Sequence, residues 1–305
     1  MAASLSNWPS VDVVVPTRDR ADMVREAVRS VAAQDYPGRL RVIIVDDGTG
    51  PVGTIATDFA EVRVVPNTHL QGLCGARNTG IDLSDADLVA FLDDDDLWLP
   101  DKLRRQVTAL QQNPDTMMVT ASVLIEFAGR TTPRLAGTSL VTRDMLLKSR
   151  MAMLHSSTFL IRRTSLRRLG GLDETAPNGH NEDYDLLLRC AAQQPIVHVD
   201  EPLVRVRWTS DSQFRDVWAA RLAGAEWVLD RHPDIRSSSV GHARVLGQIA
   251  FAHAVLGRRR SALRLARRTW RLRWQEPRAY LAVLAVAGVP PSFIVTQLHR
   301  FGRGV

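Results

Sequence analysis

The sequence predicts an α/β fold, a mixed sheet flanked by helices, with a helical extension at its C-terminal end. Three observations predict it. Short β-branched runs alternate with helical patterns through the first half. Polar clusters stand at the ends of three of those runs. From about residue 214 onward everything reads helical. Alternating strands and helices make βαβ units whose parallel sheet is covered on both faces. Ligands of such sheets sit at the carboxyl ends of the strands.

The first run, VDVVV (11–15), is β-branched and stops at Pro16; a helical pattern follows over 21–34. RVIIV (41–45) reads as a second buried strand, closed by DDGTG, and EVRVV (61–65) as a third. CGARNTGIDL (74–83) reads as a helix and LVAFL (88–92) as a fourth strand. MMVTASVLIEF (117–127), STFLI (157–161), IVHVD (196–200) and LVRVRW (203–208) predict further strands in a second lobe of the same domain. EDYDLLLRCAAQ (182–193) reads as a helix with acids in its first turn, which the positive end of a helix favours. FAHAVLGRRRSALRLARR resembles one helix-turn-helix repeat. The expected division is a catalytic domain over 1–212 and a basic helical region over 213–305.

Apolar content of 45% and charged content of 24% in 305 residues suffice for a sizeable core. Two cysteines, Cys74 and Cys190, exclude a disulfide framework and fit a reducing cytoplasm. MAASLSNWPS lacks a basic region followed by an apolar core, so no signal peptide is expected. The apolar stretch 281–295 is too short to span a bilayer and is broken by Pro290 and Pro291. The expected location is cytoplasmic. Two lysines against 37 arginines fit a GC-rich bacterial genome.

Polar residues gather at one rim. Pro16, Thr17 and Arg18 follow the first strand, Asp46 and Asp47 the second, and Asp93, Asp94, Asp95 and Asp96 the fourth. Four adjacent like charges repel, so a bound cation would relieve them. Mg²⁺ is commonly held by one or two carboxylates plus substrate phosphates. An aspartate pair two residues apart on a turn points both side chains the same way. The competing reading is a solvated acidic turn capping a helix that begins near Leu99.

PTRDR, VDDGTG, GARNTGI, FLDDDDLWLPDKLRRQ and HNEDYDLLLR occur in the order and spacing of family 2 glycosyltransferases, which the chain resembles over about 8–212. The resemblance implies a Rossmann-like GT-A fold and inverting, metal-assisted transfer from a nucleotide-diphospho sugar to a hydroxyl. It implies that Pro16, Thr17, Arg18, Asp46, Asp47, Arg77, Asn78, Asp93 and Asp94 bind the nucleotide, and that Asp95 and Asp96 hold Mn²⁺ or Mg²⁺. It implies a UDP- or dTDP-linked donor. Asp183 is expected to be the general base, its pKa raised by burial and its acidic neighbour, with Glu182 orienting the acceptor. His180, Arg207 and Trp98 are candidates to contact diphosphate or acceptor. Around Trp208 the chain departs from a histidine common among relatives, which puts a third protein-supplied metal ligand in doubt. The acceptor is a glycan, a lipid-linked sugar or a natural product; the sequence does not choose. Alternatives are a sugar-nucleotide nucleotidyltransferase, which the missing glycine-rich, lysine-bearing loop disfavours, and a non-catalytic nucleotide-sugar binder, which the intact acids disfavour.

Residues 231–305 hold 14 of the 39 basic residues against only Asp234 and Glu276. On a helical wheel of 257–275, Arg260, Arg264, Arg267, Arg268 and Arg271 fall within a stripe of about 100°. Leu263, Ala266, Trp270 and Trp274 adjoin it. This pattern fits peripheral contact with an anionic membrane, or a helical subdomain packed on the body. With an acidic body and no recognised motif, no nucleic acid partner is expected.

Overall fold

The computed structural model describes residues 8–48, 61–208 and 214–300. The chain runs β1 (Val11–Thr17), α1 (Ala21–Ala32), β2 (Leu40–Asp46), β3 (Val62–Pro66), α2 (Leu73–Leu83) and β4 (Leu88–Phe91). It continues through β5 (Leu97–Trp98), α3 (Lys102–Gln112), β6 (Met118–Phe127), β7 (Arg130–Arg134), β8 (Leu140–Val141), α4 (Arg143–Lys148), β9 (Leu160–Arg162) and α5 (Arg163–Arg168). Then come α6 (Glu182–Gln193), β10 (Ile196–Arg207), α7 (Phe214–Arg231), α8 (Ser239–Val255), α9 (Arg259–Leu272), α10 (Pro277–Val286) and α11 (Pro291–Arg300).

All described strands join one sheet in the order β3-β2-β1-β4-β9-β6-β10-β5, with β7 on β6 and β8 on β10. The β3-β2-β1-β4 half is parallel. The other half is mixed, because β9 runs antiparallel to both β4 and β6 while β10 runs parallel to β6. Every residue of β1 is buried, as expected of a strand covered on both faces. Alternate residues feed two cores: Val14 and Ile43 point to the face covered by α2, α6 and the C-terminal helices, and Val13, Val15 and Ile44 to the face covered by α1 and α3. Gly80 lets α2 lie on β1, since a Cβ there would come within 2.3 Å of Val14.

Three expectations need correction. In the predicted strand 157–161, the strand begins only at Leu160; Ser156–Thr158 form a 3₁₀ turn whose two serine hydroxyls bond Asp93 and Asp96 of the acidic loop. The predicted strands 196–200 and 203–208 are one strand, β10, with a break in register between Val199 and Val204. Pro202 has no N–H to give the ladder, which accounts for a break rather than an end. No helix begins at Leu99: Leu97 and Trp98 pair with β10, Pro100 follows, and α3 starts at Lys102 with Asp101 as its cap residue. The four aspartates therefore do not cap that helix.

The C-terminal helices α8, α9 and α10 pack on one another, and their buried Ala250, Ala262, Ala266 and Ala279 join the core formed with α6. The helix-turn-helix expected around 251–268 is the α8–α9 pair. No helix among the described residues is long and apolar enough to cross a membrane.

Candidate active site

The site forms where the ends of β1, β2 and β4 meet the start of α6. The β4 end turns sharply, and its four aspartates point in different directions rather than together into solvent. Asp94 turns toward β1, where Oδ2 accepts from the Thr17 hydroxyl at 2.8 Å and Oδ1 from Arg20 at 3.2 Å. Asp95 is the most open, with its side chain 39% exposed and Arg20 3.4 Å away. Asp93 accepts from Arg77 Nη2 and from the Ser156 hydroxyl at 3.0 Å. Asp96 is buried and accepts from the Ser157 hydroxyl at 2.6 Å, with His155 Nδ1 at 3.3 Å.

Arg77 links the two acidic motifs. Its side chain is 1% exposed, and Nη1 donates to Glu182 at 2.8 Å while Nη2 donates to Asp93. One buried guanidinium thus joins the acidic loop after β4 to the acid pair that opens α6. It is not open to a base or phosphate, as the family resemblance implied for it. Asn78 is likewise occupied: it donates to the Leu172 carbonyl and Glu174, and accepts from the Leu172 N–H.

Beside this network lies a cleft of about 540 Å³. One wall is Pro16, Thr17, Arg18 and Arg20; Asp47 and Asp94 lie at its acidic side; Leu70 to Ala76 and the segment carrying Glu174 and Asn178 complete it. Asp47 Oδ1 accepts from Asn67 and from the Gly72 N–H, which fixes the carboxylate at the rim. Asp46 does not line the cleft; its Oδ1 accepts from the Gly48 N–H. Gly75 is required for the close turn here, since a Cβ would lie 1.9 Å from the Leu70 carbonyl oxygen.

Asp183 lies at the first turn of α6, following Asn181 in the left-handed region (φ 68°). Arg150 Nη2 bonds both of its oxygens, at 2.9 and 2.7 Å. Burial works against the Asp183 charge, but Arg150 overcomes it and holds the carboxyl below the usual carboxylate range. This corrects the expectation that its pKa is raised. Glu182 carries the upward shift instead, pushed first by burial and then by Asp183. Burial also pushes Asp95 up, to about 7, with its three acidic neighbours adding to the effect. For His155, burial opposes the charged ring, but Asp96 beside it raises the pKa to about 9.

The remaining candidates separate. Trp98 is 3% exposed, gives its indole N–H to the Ser157 carbonyl and carries Lys102 Nζ 3.8 Å from its ring centroid. It is a packing anchor under the acidic loop and offers no face to a sugar. The Arg207 guanidinium pairs with Glu26 at 2.7 Å, and the Arg207 backbone N–H donates to Asp96 Oδ1 at 3.4 Å. His180 is half-buried where α7 packs closely over it at Gly224.

A divalent cation needs clustered oxygen or imidazole donors. Asp93, Asp96 and His155 supply such a set, with ligand atoms within 4.8 Å of one another. Asp95, expected as a ligand, is outside that set. His155, Arg150, Arg20 and the serines of the 3₁₀ turn were not singled out in the sequence. Their one local signal is His155 followed by Ser156-Ser157-Thr158 ahead of an apolar strand.

Residues 12–170, more than half of the chain, match the family described as Glycosyl transferase family 2. The chain belongs to that family. The chain is 30% identical over 308 residues to the pre-mycofactocin glycosyltransferase of Mycobacterium tuberculosis, covering 91% of this chain and 61% of that protein, so it spans less than two thirds of that relative's length. It is 36% identical over 114 residues to an N-acetylglucosaminyltransferase of Bradyrhizobium elkanii, covering 35% of this chain and 62% of that one. The fold is similar to S. aureus TarS 1-349 in complex with UDP-GlcNAc (TM-score 0.57, 16% identity, 96% of this chain and 92% of that one). It is also similar to the Pyrobaculum calidifontis mannosyltransferase PcManGT in complex with GDP-Man and Mn²⁺ (TM-score 0.58, 18% identity, 97% and 89%). The likeness to these solved GT-A structures identifies the fold as GT-A.

Proposed function

We propose that the chain transfers a sugar from a nucleotide-diphospho donor to a hydroxyl acceptor with inversion, using Asp183 as base. The observation that carries this reading is the Arg77 bridge, which holds the acidic loop and the acid pair against one another beside an open cleft. The cleft takes the nucleotide. Thr17 and Arg18 line the base and ribose, Asp47 accepts from the base edge, and Asp94 orients the β1 end through Thr17. Arg77 and Asn78 serve from behind by holding the loop and the α2 end. A UDP- or dTDP-linked donor suits an acceptor carboxylate at the base edge, because uracil and thymine present the same N–H.

Asp93, Asp96 and His155 fit a Mn²⁺ or Mg²⁺ ion, with Asp95 on the open side of the loop. Bound there, the ion supplies positive charge against the charge that develops on the leaving diphosphate. Asp183 removes the acceptor proton as its oxygen attacks the anomeric carbon, and Glu182, fixed by Arg77, sets the direction of α6. The domain division at 212/213 belongs to the same proposal, and the boundary itself lies outside the described residues.

Inversion is tested by NMR of the product. An α-linked donor is expected to give a β-linked product, seen in the anomeric coupling constant. An α-linked product refutes the single-displacement mechanism.

The C-terminal helices support peripheral contact with an anionic membrane. Arg260, Arg264, Arg267, Arg268 and Arg271 are exposed and have no ion-pair partner among the described residues. Leu263 and Trp274 are exposed beside them, whereas Ala266 is buried and Trp270 packs on Tyr280. Each basic side chain near an anionic surface contributes about 1 kcal/mol. Reversing Arg264, Arg267, Arg268 and Arg271 to Glu is expected to abolish cosedimentation with phosphatidylserine vesicles. Unchanged cosedimentation removes this helix as the contact.

A further inference from the structure

We propose that Arg150 selects an anionic acceptor, one carrying a phosphate or carboxylate close to its reacting hydroxyl. This rests on the glycosyl-transfer reading above, in which Asp183 is the base. A guanidinium carries five N–H donors in a planar fork. Arg150 commits only Nη2 to protein, to the two oxygens of Asp183. Its Nε–H and Nη1–H groups have no protein partner among the described residues, and its side chain is 41% exposed. The partner carboxylate is only 7% exposed, so Arg150 is the more open member of the pair.

The backbone holds this arrangement in place. Met151, the next residue, sits at φ 49°, a conformation costly for a residue with a side chain. The Met151 N–H donates to the Ser149 hydroxyl at 3.2 Å, which pins the turn from the other side. The groups that face Arg150 are Asp183, Glu182, Tyr184, His180 and Arg244. Glu182 is engaged by Arg77, and Tyr184 gives its hydroxyl proton to the Leu146 carbonyl. The charge of Arg221, exposed on α7, also reaches His180. Among the described residues Asp183 is therefore the one carboxylate Arg150 bonds, with His180 and Arg244 as the basic groups beside it.

A cation across both oxygens of a base lowers its appetite for a proton. A neutral acceptor would meet Asp183 in that suppressed state. An anionic group on the acceptor instead bonds the open edge of the Arg150 fork and draws it off the carboxylate. The hydroxyl O–H then breaks, its proton passes to Asp183, and the oxygen bonds to the anomeric carbon. The bond from that carbon to the diphosphate breaks with its electron pair on the departing nucleoside diphosphate. Recognition of the anion and release of the base are one event.

The test uses the full chain saturated with UDP and Mn²⁺ and three probes: glycerol 3-phosphate, glycerate and glycerol. A charge-assisted hydrogen bond predicts that at least one anion binds about tenfold or more tighter than glycerol in ligand-observed NMR. Which anion wins separates a phosphate-bearing from a carboxylate-bearing acceptor. Arg150→Gln is expected to bring the anions to the level of glycerol, and Arg150→Lys to keep part of the preference. UDP affinity measured on the same samples reports whether each variant has kept its fold. Equal binding of all three probes with UDP bound, or a preference intact in Arg150→Gln, overturns the proposal and leaves the glycosyl-transfer reading standing. A chain that binds none of UDP, dTDP or GDP overturns both.

Discussion

Asp183→Asn is expected to lower the rate of sugar transfer by about 10²–10⁴-fold, the usual contribution of a positioned base, while nucleotide affinity stays within twofold. The substitution is nearly isosteric and removes the negative charge, and with it both the ability to accept a proton and the ion pair with Arg150. Asp183 does not line the nucleotide cleft, and its side chain meets Arg150 and the Tyr184 N–H. The loss therefore falls on turnover and not on donor binding. Steady-state kinetics with nucleotide binding by calorimetry separates the two. A variant that keeps more than a tenth of its turnover removes Asp183 as the base.

Arg77→Met is expected to cost about 3–5 kcal/mol of stability, the range for breaking a buried ion pair from one side. Methionine fills the space but leaves Asp93 and Glu182 without their shared cation. Arg77 is fully buried and also bonds the Ser156 hydroxyl, so the acidic loop, the 3₁₀ turn and the α6 start lose a common anchor. Both carboxylates are then expected to take up protons more readily. The loss should accordingly be larger at pH 8 than at pH 5, since protonation at low pH relieves the uncompensated charge. Denaturant unfolding at the two pH values checks this. A loss below about 1 kcal/mol at pH 8 contradicts the account of Arg77 as the tie between the motifs.

The parts of this design differ in how plainly the sequence announces them. The parallel half was legible because VDVVV, RVIIV and LVAF are largely buried, mostly β-branched or apolar runs, interrupted only by Asp12 and Arg41, which pair with each other. The rim was legible because each run stops at a polar residue. STFLI was misread because Thr158 and Phe159 suit a strand by composition, yet the Ser157 hydroxyl bonds Asp96 and the preceding Ser156 hydroxyl bonds Asp93. Such a contact spans about sixty residues and has no period. His155 and Arg150 were missed for the same reason: each is a single residue whose partner, Asp96 or Asp183, comes from another element. Arg77 and Asn78 were expected to meet the nucleotide, and their side chains bond protein groups instead. Burial decides between ligand and carboxylate, and burial is a property of the assembled sheet.

The acidic loop illustrates how charge is distributed. Asp93 is held by Arg77, Asp94 by Thr17 and Arg20, and Asp96 by Ser157. Asp95 relies, among the described residues, on a half-exposed arginine at 3.4 Å alone, and burial with its three acidic neighbours raises its proton affinity. The loop thus carries more negative charge than its protein partners neutralise, which is the condition under which a cation is retained.

That excess is the central claim, and titration of UDP into the protein with Mn²⁺ or with EDTA tests it most directly. The account predicts that Mn²⁺ tightens nucleotide diphosphate binding at least tenfold, and that Asp96→Asn and His155→Ala each remove that gain while leaving the affinity measured in EDTA unchanged. Nucleotide binding that is equally tight in EDTA, or a Mn²⁺ effect that survives both substitutions, contradicts it.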